Sequence, residues 1–373
     1  MRNILSFIYI IGISIIGLPS HLSGQNWEIY RGRTDLTGLT NATLPENPVL
    51  LWNLKTDNRT VSSPVISAGS IYFGNNDGDL YAVSSEGKIK WIFETGTTIE
   101  ASPLIINDKV IIGSLDGVLR AIDTRSGELV WKYETGNQIS GSANIWTDKK
   151  KSMIIVGSYD YYLHCIDPET GNFMWKIETD NFVHGTPAIS GGKIVFGGCD
   201  GLLRIVNPMT GKVEKAANLG VYIASSPALF DNYAYVGSYE GIFYCIDLIS
   251  MSISWEIPAR NEYSSIMATP AIGRAKALIG SEDKYMYCYS IQGGKKLWEY
   301  RTDGRITGSA IISGDKVLFG SRDSYIYILD LESGRKLWSF DTGNPVSSSP
   351  AITGNMFCIL TEDGRLLAFG KKN

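Results

Sequence analysis

The stretch AIDTRSGELVW, residues 121 to 131, closes a short aliphatic run on a tryptophan, and the pattern returns along the whole chain. Trp52, Trp91, Trp131, Trp175, Trp255, Trp298 and Trp338 share the slot, Lys215 fills one further copy, and the steps are 39, 40, 44, 40, 40, 43 and 40 residues. Two other columns keep the same step. Asp77, Asp116, Asp160, Asp200, Glu240, Asp283, Asp323 and Asp363 sit in the turn after a short apolar strand, and Ser or Thr precedes Pro64, Pro103, Ala143, Pro187, Pro227, Pro270, Ala310 and Pro350. A unit of about 40 residues cannot bury its own apolar face, so three registers on one period mean stacked copies of a small module.

Each copy holds four runs rich in Ile, Val, Tyr and Phe, bounded by Gly, Asp, Asn or Ser, which predicts four consecutive antiparallel strands. In the second copy these are Ala101 to Ile106, Lys109 to Gly113, Leu119 to Asp123 and Leu129 to Glu134. Asp116-Gly117 is a hairpin signal, because glycine reaches positive φ without steric cost and the aspartate can take nearby backbone donors. Proline lacks a ladder donor, so the proline column predicts an innermost strand whose free edge faces a central channel.

Four-stranded sheets repeating at this length pack radially. The repeats begin on a fourth strand, VLLWNLK at 49 to 55, and end on a third, RLLAFG at 365 to 370, so the first must complete the last sheet. The expected fold is therefore all-β, an eight-bladed β-propeller of four-stranded antiparallel blades spanning 49–373, closed by pairing of the N- and C-terminal strands. The alternative is seven blades plus a stray segment around the irregular Lys215 copy.

With 373 residues, 44% apolar content and a net charge of −4, the chain has ample core and no basic surplus for nucleic acid. Residues 1–24 read as an export signal: Arg2, the apolar run Ile4 to Leu18, then the small and polar Ser20 to Gly24. A retained membrane anchor is the alternative, although the run is short for one. Residues 25–48 form a lead-in. Cys165, Cys245 and Cys288 fall in the slot held elsewhere by Ala82, Ala121 and Ala368, which predicts small buried side chains and no disulfide framework.

AIDTRSGELVW resembles the tryptophan-docking motif of the pyrroloquinoline-quinone (PQQ) dehydrogenase propellers, and CIDPETGNFMW, SIQGGKKLW and ILDLESGRKLW repeat it. The resemblance implies that each of the seven slot tryptophans docks between the alanine of one blade and the glycine turn of the next. Lys215 for Trp and Met251 for Gly depart from the pattern. That family also implies adjacent cysteines, a tryptophan floor, PQQ and Ca²⁺. Here no two cysteines are adjacent, only Trp27 and Trp146 lie outside the slots, and no insertion is long enough for a lid. The same architecture without chemistry resembles the BamB family of outer-membrane assembly factors, whose lipoprotein cysteine this chain lacks.

No nucleophile elbow, catalytic triad order or phosphate loop stands out, and His164 and His184 lack zinc spacing. Acids present in every copy read as turn formers rather than calcium ligands. Specificity should lie where copies differ near the channel mouth, at Arg59, Glu100, Gln138, Tyr159, Phe182, His184, Tyr222, Tyr239, Arg260, Tyr263, Glu282, Arg305 and Arg322. Tyr and Arg dominate interaction hot spots. The expected protein is a non-catalytic, periplasmic or secreted scaffold, monomeric and without cofactor, that binds an envelope protein or an extracellular glycan or peptide. The alternative is a reduced quinoprotein with PQQ, calcium and dehydrogenase activity.

Overall fold

The computed structural model describes residues 26–149, 151–223, 225–260, 264–354 and 356–371, so the expected export signal and Tyr263 lie outside the described residues. Eight four-stranded antiparallel sheets follow one another around a ring: blades 1 to 7 span 65–94, 104–134, 144–178, 188–218, 228–258, 271–301 and 311–341. Blade 8 takes three strands from 351–370 and its outermost strand, Val49–Lys55, from the other end of the chain. That strand runs antiparallel to Arg365–Gly370, with Trp52 opposite Ala368 and Lys55 opposite Arg365. The ring is thus closed by its termini, and eight blades rather than seven are present.

The alternating columns have distinct physical roles. Asp116, Asp160, Asp200, Asp283 and Asp323 each accept the backbone N–H two residues on, at Val118, Tyr162, Leu202, Tyr285 and Tyr325. Their second partner lies four residues on: Arg120, His164, Arg204, Tyr287 or Tyr327. The acids are therefore occupied in fastening hairpins. Burial alone would raise the pKa values of Asp116, Asp160 and Asp200, but hydrogen bonds from Arg120, His164 and Arg204 outweigh it and hold them below the ordinary carboxylate value.

The tryptophans join blades. Trp52, Trp91, Trp131, Trp175, Trp255 and Trp298 donate Nε1–H to carbonyls of the next blade's turn, at Ser85, Thr124, Pro168, Pro208, Ile291 and Leu331. Gly171 in such a turn has φ 72°, and a Cβ there would come 2.7 Å from the Trp131 ring. Trp338 differs from the sequence expectation. Its neighbour is blade 8, where chain ends replace the third-to-fourth strand turn, so there is no glycine turn to dock on. It packs edge-on against Phe369 instead, with centroids 5.6 Å apart.

A second circular joint explains the Ser/Thr column. The backbone N–H of Ser102, Ser142 and Thr186 donates to the hydroxyl of Ser142, Thr186 and Ser226 respectively, and Thr269, Ser309 and Ser349 donate likewise to Ser309, Ser349 and Ser63. Each link runs from one blade to the next. The prolines stand just before the inner strands, not within them: Leu104–Ile106, for example, starts after Pro103. The expectation of free inner edges is also corrected. Residues 27–40 wind around the inside of the ring, and their carbonyls accept the N–H of Ile66, Ile105, Ile189, Leu229, Ile272 and Ile312, from blades 1, 2, 4, 5, 6 and 7. Leu39–Thr40 even adds a short parallel strand to blade 7. Trp27, Ile29, Leu36 and Leu44 are buried by this winding, which closes the end of the channel opposite the mouth.

Arg31 lies within the winding, 1% exposed, with one guanidinium nitrogen unpartnered among the described residues. Desolvation lowers its pKa to about 10, so it stays charged near neutrality. Gly38 has φ 61° and no room for a Cβ beside Arg31. The lead-in is therefore shaped around this side chain.

Candidate functional site

Two sets of loops meet at the open end, and the backbone shows how. In every blade the residue before the acid donates its N–H to a carbonyl of the loop that enters that blade's own inner strand: Asn76 to Arg59, Leu115 to Thr98, Tyr159 to Gln138, Cys199 to Phe182, Tyr239 to Tyr222, Glu282 to Ser265, Arg322 to Arg305 and Glu362 to Pro345. Both sets of variable side chains therefore surround one mouth.

The mouth has two different halves. Over blades 3 to 5, Tyr159 stacks on Phe182 with centroids 4.5 Å apart, and its hydroxyl lies 2.6 Å from His184 Nδ1, which Ser140 Oγ also reaches at 3.1 Å. Tyr222 and Tyr239 project beside them, 54% and 58% exposed, with no ring or side-chain hydrogen-bond contact among the described residues. Across the mouth the groups are charged. Glu362 is buried and takes both Arg59, at 3.2 Å, and Arg322, at 3.0 Å, while Arg305 lies 3.6 Å from Glu282. These ion pairs fix one half of the rim and leave the tyrosines as its free apolar surface. Arg260 does not join the mouth. It turns into the groove between blades 5 and 6, against Glu299 at 3.1 Å and over the Tyr285 ring.

Below the rim the channel narrows to a cavity of about 170 Å³, floored by Tyr30. Tyr30 Oη sits 3.1 Å from Thr269 Oγ1 and 3.0 Å from Ser309 Oγ, so the winding and the hydroxyl belt meet there. The walls are mostly Ser and Thr hydroxyls, with Glu100 and His184 as their ionisable groups and Val61 and Met267 as their apolar side chains. A quinone with calcium does not fit this lining. The floor is a tyrosine, a single carboxylate is present, and a cavity of ~150 Å³ accepts only one six-membered ring. Trp27 and Trp146 are buried elsewhere, the first against Gly32 and the second in blade 3.

Burial pushes the His184 pKa below its ordinary 6.5. The unfolded chain then binds the proton more readily, so stability is lost as pH falls below about 6.5. The carboxylates held by Arg120, His164 and Arg204 lose their contribution only at lower pH, beneath the ordinary Asp value of 3.8. Between pH 7.5 and 5, His184→Gln is expected to show a smaller drop in thermal midpoint than the parent chain, as measured by circular dichroism melts. Identical drops would remove His184 as the cause.

Residues 95–373 match the family described as "Beta-alanine-activating enzyme, beta-propeller", three quarters of the chain. The chain belongs to that family. Among individual relatives, the beta-alanine-activating enzyme of Mus musculus is 32% identical over 83 residues, which is 20% of this chain and 8% of that protein. The outer membrane protein assembly factor BamB of Aliivibrio fischeri is 30% identical over 95 residues, 22% of this chain and 25% of its own length. The chain thus spans well under half of the curated relatives it matches. Among solved structures, BamB from Moraxella catarrhalis shares the fold with a TM-score of 0.74 at 19% identity, over 87% of this chain and all of that one. Quinohemoprotein alcohol dehydrogenase from Comamonas testosteroni does so with a TM-score of 0.81 at 12% identity, over 94% and 81%. The PQQ-like propeller architecture is therefore established from both sides. Among the described residues, no helix is long and apolar enough to cross a membrane.

Proposed function

We propose that this protein is an exported, non-catalytic scaffold of the bacterial envelope, periplasmic or at the cell surface, that docks a protein partner on its channel mouth. The observation that carries the reading is the pair Tyr222 and Tyr239, held side by side by a backbone hydrogen bond yet more than half exposed, across the mouth from an ion-paired arginine rim. Tyrosine offers large contact area at low entropic cost, and Tyr and Arg recur at binding hot spots. Nearly all of the described residues from 49 to 371 are used for blades and tight turns, with no inserted lid or catalytic loop among them. The export signal expected in residues 1–24 and the BamB relatives support the compartment. Monomeric action without a cofactor belongs to the same reading.

The test is directional. A photo-crosslinking residue at 239 in cells is expected to trap a discrete partner, whereas one at 88, on the hairpin end of the blades, traps none. Equal trapping at both positions, or at 88 alone, would contradict docking at the mouth. The competing reading is a reduced quinoprotein, since quinohemoprotein dehydrogenases share the fold. Titration with PQQ and Ca²⁺, read by quinone absorbance and dye-linked alcohol oxidation, separates the two; saturable binding with turnover would replace the scaffold reading.

A further inference from the structure

The channel cavity holds an arrangement that partner docking does not use. Glu100 lines it without a hydrogen-bond or ion-pair partner among the described residues. Thr307 Oγ1 and Ser347 Oγ are buried and unpartnered on the same wall lining. His184 has Nδ1 held by Tyr159 and Ser140, which leaves Nε2 without a protein partner among the described residues. A bare carboxylate, free hydroxyls and an imidazole nitrogen around a closed floor form a set of polar groups that a ligand would satisfy.

We propose that this cavity binds one small amino sugar, its ammonium on Glu100 and its ring hydroxyls on Thr307, Ser347 and His184. Three features select that class. The volume, about 170 Å³, matches a single six-membered ring. The lining is almost wholly polar, with hydroxyls that both donate and accept, which suits a polyol rather than an apolar ring. The one carboxylate faces no cation of the protein, and burial raises its pKa, so a ligand ammonium supplies the charge that the site lacks. An anion finds no lysine or arginine among the described residues that line the cavity; the arginines of the rim are engaged with Glu282 and Glu362.

The proposal rests on the cavity alone and stands or falls separately from partner docking. Calorimetric titration of the purified full-length protein with glucosamine, N-acetylglucosamine and glucose tests it. Glucosamine is expected to bind saturably at millimolar concentrations, with the two uncharged sugars about tenfold weaker, the scale of one charge-assisted hydrogen bond. Glu100→Gln should abolish that preference and leave the weak binding of glucose unchanged. Thr307→Val combined with Ser347→Ala should weaken all three sugars. Glu100 has no protein partner to lose, so its substitution is expected to leave the melting temperature in place, and that melt is the folding control. Equal affinity for glucosamine and glucose, an unaltered preference in Glu100→Gln, or no heat from any sugar would overturn the proposal.

Discussion

A chain that starts at residue 56 will not reach the melting temperature of one that starts at residue 26, and will lose its single cooperative transition. Residues 26–55 hold the ring in two places. Val49–Lys55 supplies the outer strand of blade 8, packing Leu50, Trp52 and Leu54 against the core around Phe369. Residues 27–40 occupy the far end of the channel and pair with inner strands of six blades. Removing both strips a sheet of its fourth strand and uncovers Ile66, Leu229 and Ile312 on the inner edges, together with the core under Trp27 and Leu44. The loss should exceed about 5 kcal/mol, the lower end of total stability for an ordinary domain. A permuted chain separates the two parts. It begins at Thr56 and carries Val49–Lys55 after residue 371 through a turn copied from 167–171, which keeps the clasp and omits the winding. Intermediate stability is expected from it. A truncated chain that melts like the parent would mean that the ends do not close the ring.

What the sequence disclosed follows from repetition. Val49–Lys55 and Arg365–Gly370 have the bounds read from the pattern, because a strand slot repeated eight times leaves little freedom in register. The carboxylate turns were legible for the same reason. The lead-in occurs once. Its backbone pairs with inner strands of six blades through one or a few hydrogen bonds each, so it carries no period of its own and only two residues of regular strand. Trp338 fits its column by sequence and fails it by topology, since only closure of the ring reveals that its partner turn is missing. At the mouth, the gathering of the variable positions at one end followed from the columns, whereas the backbone pairing between loops and the direction of the side chains did not. Arg260 turns to Glu299 on a neighbouring blade, and Glu362 collects arginines from two different loops. Such choices depend on charges brought together only by folding.

The largest single-residue contrast is expected between Trp131 and Lys215. Trp131 is 8% exposed and bonds the Pro168 carbonyl from inside the joint between blades 2 and 3, so Trp131→Ala should lose about 3–5 kcal/mol. Lys215 stands opposite Ile205 in the same register position, but it is exposed, and its ammonium reaches the Ile249 carbonyl over a cavity of about 270 Å³ where an indole is missing. Lys215→Ala should therefore shift stability by well under about 1 kcal/mol. Ile205 does not by itself exclude an indole, since Ile328 faces Trp338 in blade 7, although that indole packs on Phe369 rather than on a glycine turn. The obstacle is Met251. It holds the docking-glycine position at φ 56°, a conformation that disfavours a side chain, and its Cβ stands where Gly171 leaves room for an indole. Lys215→Trp alone should gain nothing, whereas Lys215→Trp with Met251→Gly should gain about 1–3 kcal/mol by burying the ring and relieving the backbone. Denaturant melts of the four variants decide it. Equal losses at 131 and 215 would mean that the two positions are not structurally equivalent, and a gain from Lys215→Trp alone would mean that Met251 does not block the slot.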